Sequence, residues 1–86
     1  MDKYKCDLLF FNTELVSYVV IELKIRKLKP NDIGQIKFYM NYIDENIKKD
    51  YMNDTIGLIM CREGNEIVLK YVTDDKIFMT TYELSR

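Results

Sequence analysis

Apolar residues fall in blocks whose spacing changes from strand-like to helical and back. Tyr4 to Phe11 (YKCDLLFF) is rich in aromatic and aliphatic side chains and reads as a strand. Leu15 to Ile25 (LVSYVVIELKI) reads as a second, longer one, and Asn12-Thr13-Glu14 between them supplies turn chemistry. So short a connection predicts an antiparallel hairpin. After Lys29-Pro30-Asn31 the period lengthens: Ile33, Ile36, Met40, Ile43 and Ile47 recur at alternating three- and four-residue steps, the stripe of a helix packed on a sheet. This helix is expected to run to about Lys48, capped by Asn31 or Asp32. A more polar stripe of Gln35, Tyr39 and Tyr42 lies beside the apolar one.

The second half returns to strands. Lys49 to Asp54 is a polar loop, and Thr55 to Cys61 (TIGLIMC) is a short, wholly apolar strand of the kind found at a sheet centre. Glu66 to Thr73 alternates like a half-exposed strand. Asp74-Asp75-Lys76 forms a turn, and Ile77 to Leu84 reads as an edge strand or an irregular tail. The order hairpin, helix, two to three further strands predicts a single α/β domain over residues 1–86, with a mixed sheet.

Composition narrows the chemistry. Hydrophobic residues at 48% and charged residues at 31% describe an ordinary globular protein. No apolar run reaches the roughly 20 residues of a membrane span, and Met1 to Lys5 leads directly into a strand-like segment with no signal peptide pattern. Cys6 and Cys61 match no metal-ligand spacing, so a reduced, cytoplasmic setting is the expectation. The chain has no histidine, which excludes Ser-His-Asp and Cys-His catalysis and any histidine-ligated zinc. Carboxylates, lysine and hydroxyls remain. A net charge of −1 gives no global reason to expect a nucleic-acid partner, yet Lys24, Arg26, Lys27 and Lys29 crowd into six residues.

Charges inside two apolar strands need a reason. Glu22 and Lys24, two apart on a strand, project from one face. With a two- or four-residue hairpin loop Asp7 lies opposite Val20 or Glu22, on that same face. Two carboxylates placed together repel, and burial raises the cost. A magnesium or manganese ion would remove that penalty, with the Leu23 carbonyl as a further ligand. The plainer alternative is a structural ion pair between Asp7 and Lys24 at a sheet edge.

Asp7 in the first strand, followed by Ile21-Glu22-Leu23-Lys24 in the second, resembles the signature of PD-(D/E)xK nucleases, with Cys6 where proline is usual. Gln35 and Tyr39 are similar to the Gln-x-x-x-Tyr helix motif of the branch related to RecB-type nucleases. DLLFF, VVIELKI, KPNDIGQIKFYMNYID and TIGLIMC together resemble the C-terminal nuclease domain of YhcG-type bacterial proteins, from about Tyr4 to Leu84. The resemblance implies a restriction-endonuclease-like core and metal-dependent hydrolysis of DNA. It implies Asp7, Glu22 and Leu23 as metal ligands and Lys24 as the residue assisting the nucleophile. Gln35 and Tyr39 would support the site, and Arg26, Lys27 and Lys29 would hold substrate phosphates at its rim. Such nucleases normally carry a helix and a first strand ahead of the Asp-bearing strand, and YhcG-type proteins an upstream helical region. Neither is present in this sequence. The expectation is therefore part of a longer protein, with a sheet edge open to pairing as a homodimer; a non-catalytic dimerisation or partner-binding module is the alternative.

Overall fold

The hairpin forms because Asn12 turns the chain back on itself. Its Oδ1 accepts hydrogen bonds from the N–H groups of Glu14 and Leu15, both at 2.9 Å. A four-residue loop, Thr13 to Val16, then joins β1 (Leu8–Asn12) to β2 (Ser17–Lys27). Val16 closes it at φ 53°, a left-handed conformation unusual for a β-branched residue. Asn53 holds that conformation from outside the hairpin: its N–H donates to the Val16 carbonyl at 2.8 Å and its Nδ2 to the Leu15 carbonyl at 2.9 Å.

The computed structural model describes residues 7–63 and 75–82. Their order is β1, β2, α1 (Pro30–Asn46), β3 (Ile56–Glu63) and β4 (Ile77–Thr81). The four strands form one sheet in sequential order, with β1 antiparallel to β2 and the β2–β3 and β3–β4 pairs parallel. The sheet is mixed, as expected, and β3, the TIGLIMC strand, is internal. Of the segment expected from Ile77 to Leu84, Ile77–Thr81 is a strand, and its last two residues lie outside the described residues. The strand expected at Glu66 to Thr73 and the start of the one expected from Tyr4 lie outside the described residues.

Three features of α1, its cap, its end and the place of Tyr39, differ from the sequence expectation. Its N-cap is Lys29, not Asn31 or Asp32, because Pro30 takes the first helical position, where its missing N–H costs nothing. Asp32 sits at the third position and works backward: the Lys29 N–H donates to Asp32 Oδ2 at 2.8 Å, and the Asp32 N–H to the Lys29 carbonyl at 3.0 Å. The helix ends at Asn46, so Ile47 lies past the packed stripe and is exposed. The third difference is Tyr39, which is buried in the core rather than on a polar flank.

The helix covers one face of β2 and β3, where Ile33, Ile36 and Met40 meet Val20, Ile59 and Cys61. Asp44 on the helix fixes the start of β3, its Oδ1 accepting from Thr55 N–H at 3.0 Å and Thr55 Oγ1 at 2.7 Å. Closest approach is at Gly57, where an added Cβ would stand 2.7 Å from Met40 Sδ and 3.0 Å from Ile36 Cδ1. Gly57→Val is therefore expected to cost about 2 kcal/mol by overpacking, read as a lower urea midpoint at unchanged slope. The sheet's other face carries Leu8, Phe10, Leu23, Ile25 and Phe78, each at least half exposed.

Candidate functional site

Strand alternation puts Val20, Glu22 and Lys24 on the side of the sheet that α1 covers, while Ile21, Leu23 and Ile25 face the other way. Glu22 is only 5% exposed, an unusual position for a carboxylate. The register Leu8↔Ile21 carries one step further to place Asp7 opposite Glu22. Of the two positions left open by the sequence, Glu22 is the partner, because the four-residue loop fixes the register.

Asp7 stands just ahead of β1, and its main chain and side chain both cross to β2. The Asp7 N–H donates to Glu22 Oε2 at 3.1 Å, and Asp7 Oδ2 accepts the Leu23 N–H at 2.7 Å. The carboxylate thus extends the ladder ahead of the first residue of β1. The Asp7–Lys24 ion pair is not among the contacts of the described residues. Asp7 also borders a depression of about 530 Å³ on the uncovered face, lined further by Leu8, Ile21, Leu23 and Met60. In an extended strand a residue's N–H and C=O leave on the same edge, so the Leu23 carbonyl faces the Asp7 side.

Burial pushes the Glu22 carboxyl above its ordinary value of 4.5, and the neighbouring Asp7 charge pushes it further. The Asp7 N–H and the Lys24 ammonium oppose the rise without cancelling it. The sign for stability follows. Because the folded state holds the Glu22 proton more tightly than the unfolded chain, the stabilising contribution is full below pH 4.5 and lost as pH rises through the raised value. Glu22→Gln keeps an acceptor for the Asp7 N–H but removes the charge. In a chelator at neutral pH it is expected to raise stability by up to about 1 kcal/mol, the scale of opposed like charges across a strand pair. The gain should shrink as pH falls toward 4.5, which thermal denaturation at several pH values measures.

Past Lys24 the strand changes character. Lys24 pairs with Cys61, but the next pair is Lys27 with Glu63, so β2 holds one residue more than β3 and bulges. Two contacts secure this stretch. The Tyr82 hydroxyl donates to the Lys24 carbonyl at 3.0 Å, while the Tyr82 N–H donates to the Cys61 carbonyl at 3.2 Å. Arg26 forms a two-pronged pair with Asp32, Nη1 to Oδ2 and Nη2 to Oδ1 at 2.8 Å each, and Nη1 also donates to the Lys27 carbonyl at 2.9 Å. Burial by itself would raise the Asp32 pKa, but the hydrogen bonds from Arg26 and the Lys29 N–H, with the Arg26 and Lys24 charges, outweigh it and hold the group below its ordinary value.

The sequence-derived site residues therefore separate into groups. Asp7, Glu22, Leu23 and Lys24 come together just ahead of β1. Gln35 is half-buried on α1 with no hydrogen bond among the described residues, and Tyr39 is part of the core. Lys27 and Lys29 are exposed, and the partly exposed Arg26 guanidinium is paired with Asp32. Sequence reasoning missed Tyr82, which lies 58 residues from Lys24 and had no local signal. The pairing of Arg26 with Asp32 was hinted at only by opposite charges six residues apart.

As to a metal, no group of three or more His, Cys, Asp or Glu side chains gathers among the described residues. A carboxylate pair with an adjacent main-chain carbonyl fits a magnesium-type ion, which keeps several waters and accepts phosphate oxygens.

The chain matches, over residues 1–86, the family described as the YhcG PDDEXK nuclease domain. It is 37% identical over 60 residues to the YhcG protein of Escherichia coli (strain K12), an alignment covering 70% of this chain and 16% of that protein. Its backbone is similar to a crystal structure of a repair endonuclease from Pyrococcus abyssi, with a TM-score of 0.62 and 24% identity, covering 78% of this chain and 28% of the other. The fold is thus restriction-endonuclease-like, and the chain spans a minor part of either relative. No helix among the described residues is long and apolar enough to cross a membrane. The chain belongs to the YhcG PDDEXK nuclease domain family.

Proposed function

We propose that this domain hydrolyses DNA phosphodiester bonds with a divalent metal ion, magnesium or manganese, held by Asp7, Glu22 and the Leu23 carbonyl. The observation that carries the reading is the contact of Asp7 with Glu22 in a buried strand position beside Lys24. A bound divalent ion supplies an acidified water and charge stabilisation at the scissile phosphate. Lys24, on the same side of β2 as Glu22, orients the attacking water or stabilises the developing negative charge. Exposed Lys27 and Lys29 meet phosphates along the strand, contacts that position DNA without reading its sequence. Arg26, committed to Asp32, shapes the rim instead of meeting phosphate. Gln35 and Tyr39 support the site from α1, Tyr39 by packing. A reducing, cytoplasmic setting accords with the free, buried thiol of Cys61.

The test is cleavage of supercoiled plasmid and branched DNA with magnesium, with manganese and with a chelator. Cleavage that requires the metal supports the reading; cleavage of equal rate in the chelator contradicts it.

One observation favours a second reading, a non-catalytic module that pairs with a second copy or a partner chain. Among the described residues Leu8 to Phe11 form an edge strand whose side chains are 39–53% exposed, and an apolar edge strand is a template for another strand. On that reading light scattering gives a dimer that Phe10→Lys dissociates. A wild-type monomer at high concentration removes it.

A further inference from the structure

We infer that Tyr82 is a positioning residue for Lys24, fixing from the far side of the sheet the strand segment that presents the Lys24 amine. The inference rests on the reading of Lys24 as part of a hydrolytic site.

Up to Lys24↔Cys61, β2 is held on both sides by regular strand pairing or by Asp7. Immediately afterwards the bulge interrupts pairing with β3, so the Lys24 carbonyl sits where the regular ladder stops. A half-buried carbonyl without a donor is costly, and a strand free to slip at this point would carry its side chains with it. Tyr82 prevents both. It follows the last residue of β4, is anchored through its own N–H to the Cys61 carbonyl, and reaches across β3 with its hydroxyl to the Lys24 carbonyl. Three strands are tied at one level, the level of the lysine.

The opposite edge of the same segment is tied by Asp7 to the Leu23 N–H. Glu22-Leu23-Lys24 is thus gripped from two directions, by a residue that would hold the metal and by one that touches neither metal nor substrate. Tyr82 is distinct from the Arg26–Asp32 pair, which fastens the bulged stretch of the strand to the helix.

The variant that isolates the hydroxyl is Tyr82→Phe, which keeps the ring. In cleavage assays kcat should fall about tenfold, the scale of one lost hydrogen bond, with KM for DNA and the affinity for Mn²⁺ unchanged. In a Lys24→Ala background the same substitution should change the rate by less than about twofold, because its effect runs through the lysine. A full tenfold loss on top of Lys24→Ala overturns the inference. So does a change confined to KM. A second arm needs no activity: in the isotope-labelled chain, Tyr82→Phe should shift the Lys24 carbonyl resonance and collapse the Lys24 Cε signal onto those of exposed lysines. An unchanged Lys24 carbonyl and Cε in Tyr82→Phe overturns the inference whether or not the protein cleaves DNA. A wild-type chain that cleaves nothing, with the resonance changes present, counts instead against the hydrolytic reading and leaves Tyr82 as the residue that orders Lys24.

Discussion

Glu22→Ala is expected to lower metal-dependent DNA cleavage by about a thousandfold, with the fold intact. The size follows from the role assigned to the side chain, since a metal ion supplies several kcal/mol of transition-state stabilisation and each 1.36 kcal/mol is a factor of ten. Glu22 is the buried member of the carboxylate pair, and its Oε2 accepts the Asp7 N–H, so its loss disturbs both ligands at once. The fold should survive because the substitution removes a charge whose pKa is already raised by burial. Lys24→Ala, which leaves both carboxylates in place, should cost about a hundredfold while retaining metal binding. Circular dichroism of each variant separates lost chemistry from lost structure. If Glu22→Ala cleaves like the wild type, the assignment of the site fails.

The second large effect is on stability. Arg26→Ala is expected to lower Tm by several degrees in thermal denaturation, because it leaves the Asp32 carboxylate buried without its charge partner. Asp32 has 2% of its side chain exposed while Arg26 has 40%, so solvent already screens the guanidinium and the loss falls short of that for a fully buried pair. The asymmetry of burial gives the prediction its signature. Arg26→Ala combined with Asp32→Ala should be more stable than Arg26→Ala alone, since the stranded carboxylate is then gone. The pH dependence has a defined sign. Asp32 is held below its ordinary value of 3.8, so its contribution is present above that pH and lost as pH falls through the lowered value. In Arg26→Ala that acid-side loss should diminish.

Much of this arrangement was readable from the chain because local patterns encode it. Asn12 announces the turn, and a short connection leaves few registers, so counting residues narrowed the position opposite Asp7 to Val20 or Glu22, and the four-residue loop selects Glu22. The stripe Ile33, Ile36, Met40 and Ile43 gave the helix and its buried face. Pro30 marked the helix start, but the cap itself was misread. Proline at the first position moves Asp32 to the third, where a carboxylate bonds backward to the Lys29 N–H instead of capping forward. Tyr39 was placed on a polar flank by its hydroxyl, whereas its ring belongs to the core.

What escaped the sequence depends on contacts between distant segments. Arg26 looked like a phosphate ligand among four basic residues, yet the bulge after Lys24 and the turn into α1 bring it onto Asp32. Tyr82 carries no pattern at all, and its role appears only when β4 is laid parallel to β3. Asp54 is a similar case. Lys76 and then Lys48 draw its pKa down to about 2, and through these two pairs Asp54 ties the turn before β4 to Lys48 just past the helix. Periodicity identifies elements and faces, while the pairing of charges across the fold follows from topology.

The central claim is that Asp7 and Glu22 form a divalent-metal site, and calorimetric titration with Mn²⁺ tests it most directly. It needs no substrate, and it separates metal binding from turnover. The wild-type chain is expected to bind a single Mn²⁺ per molecule, and Glu22→Gln and Asp7→Asn should each abolish that binding while remaining folded. A wild-type chain that binds no ion, or a Glu22→Gln variant that binds it equally well, would contradict the account.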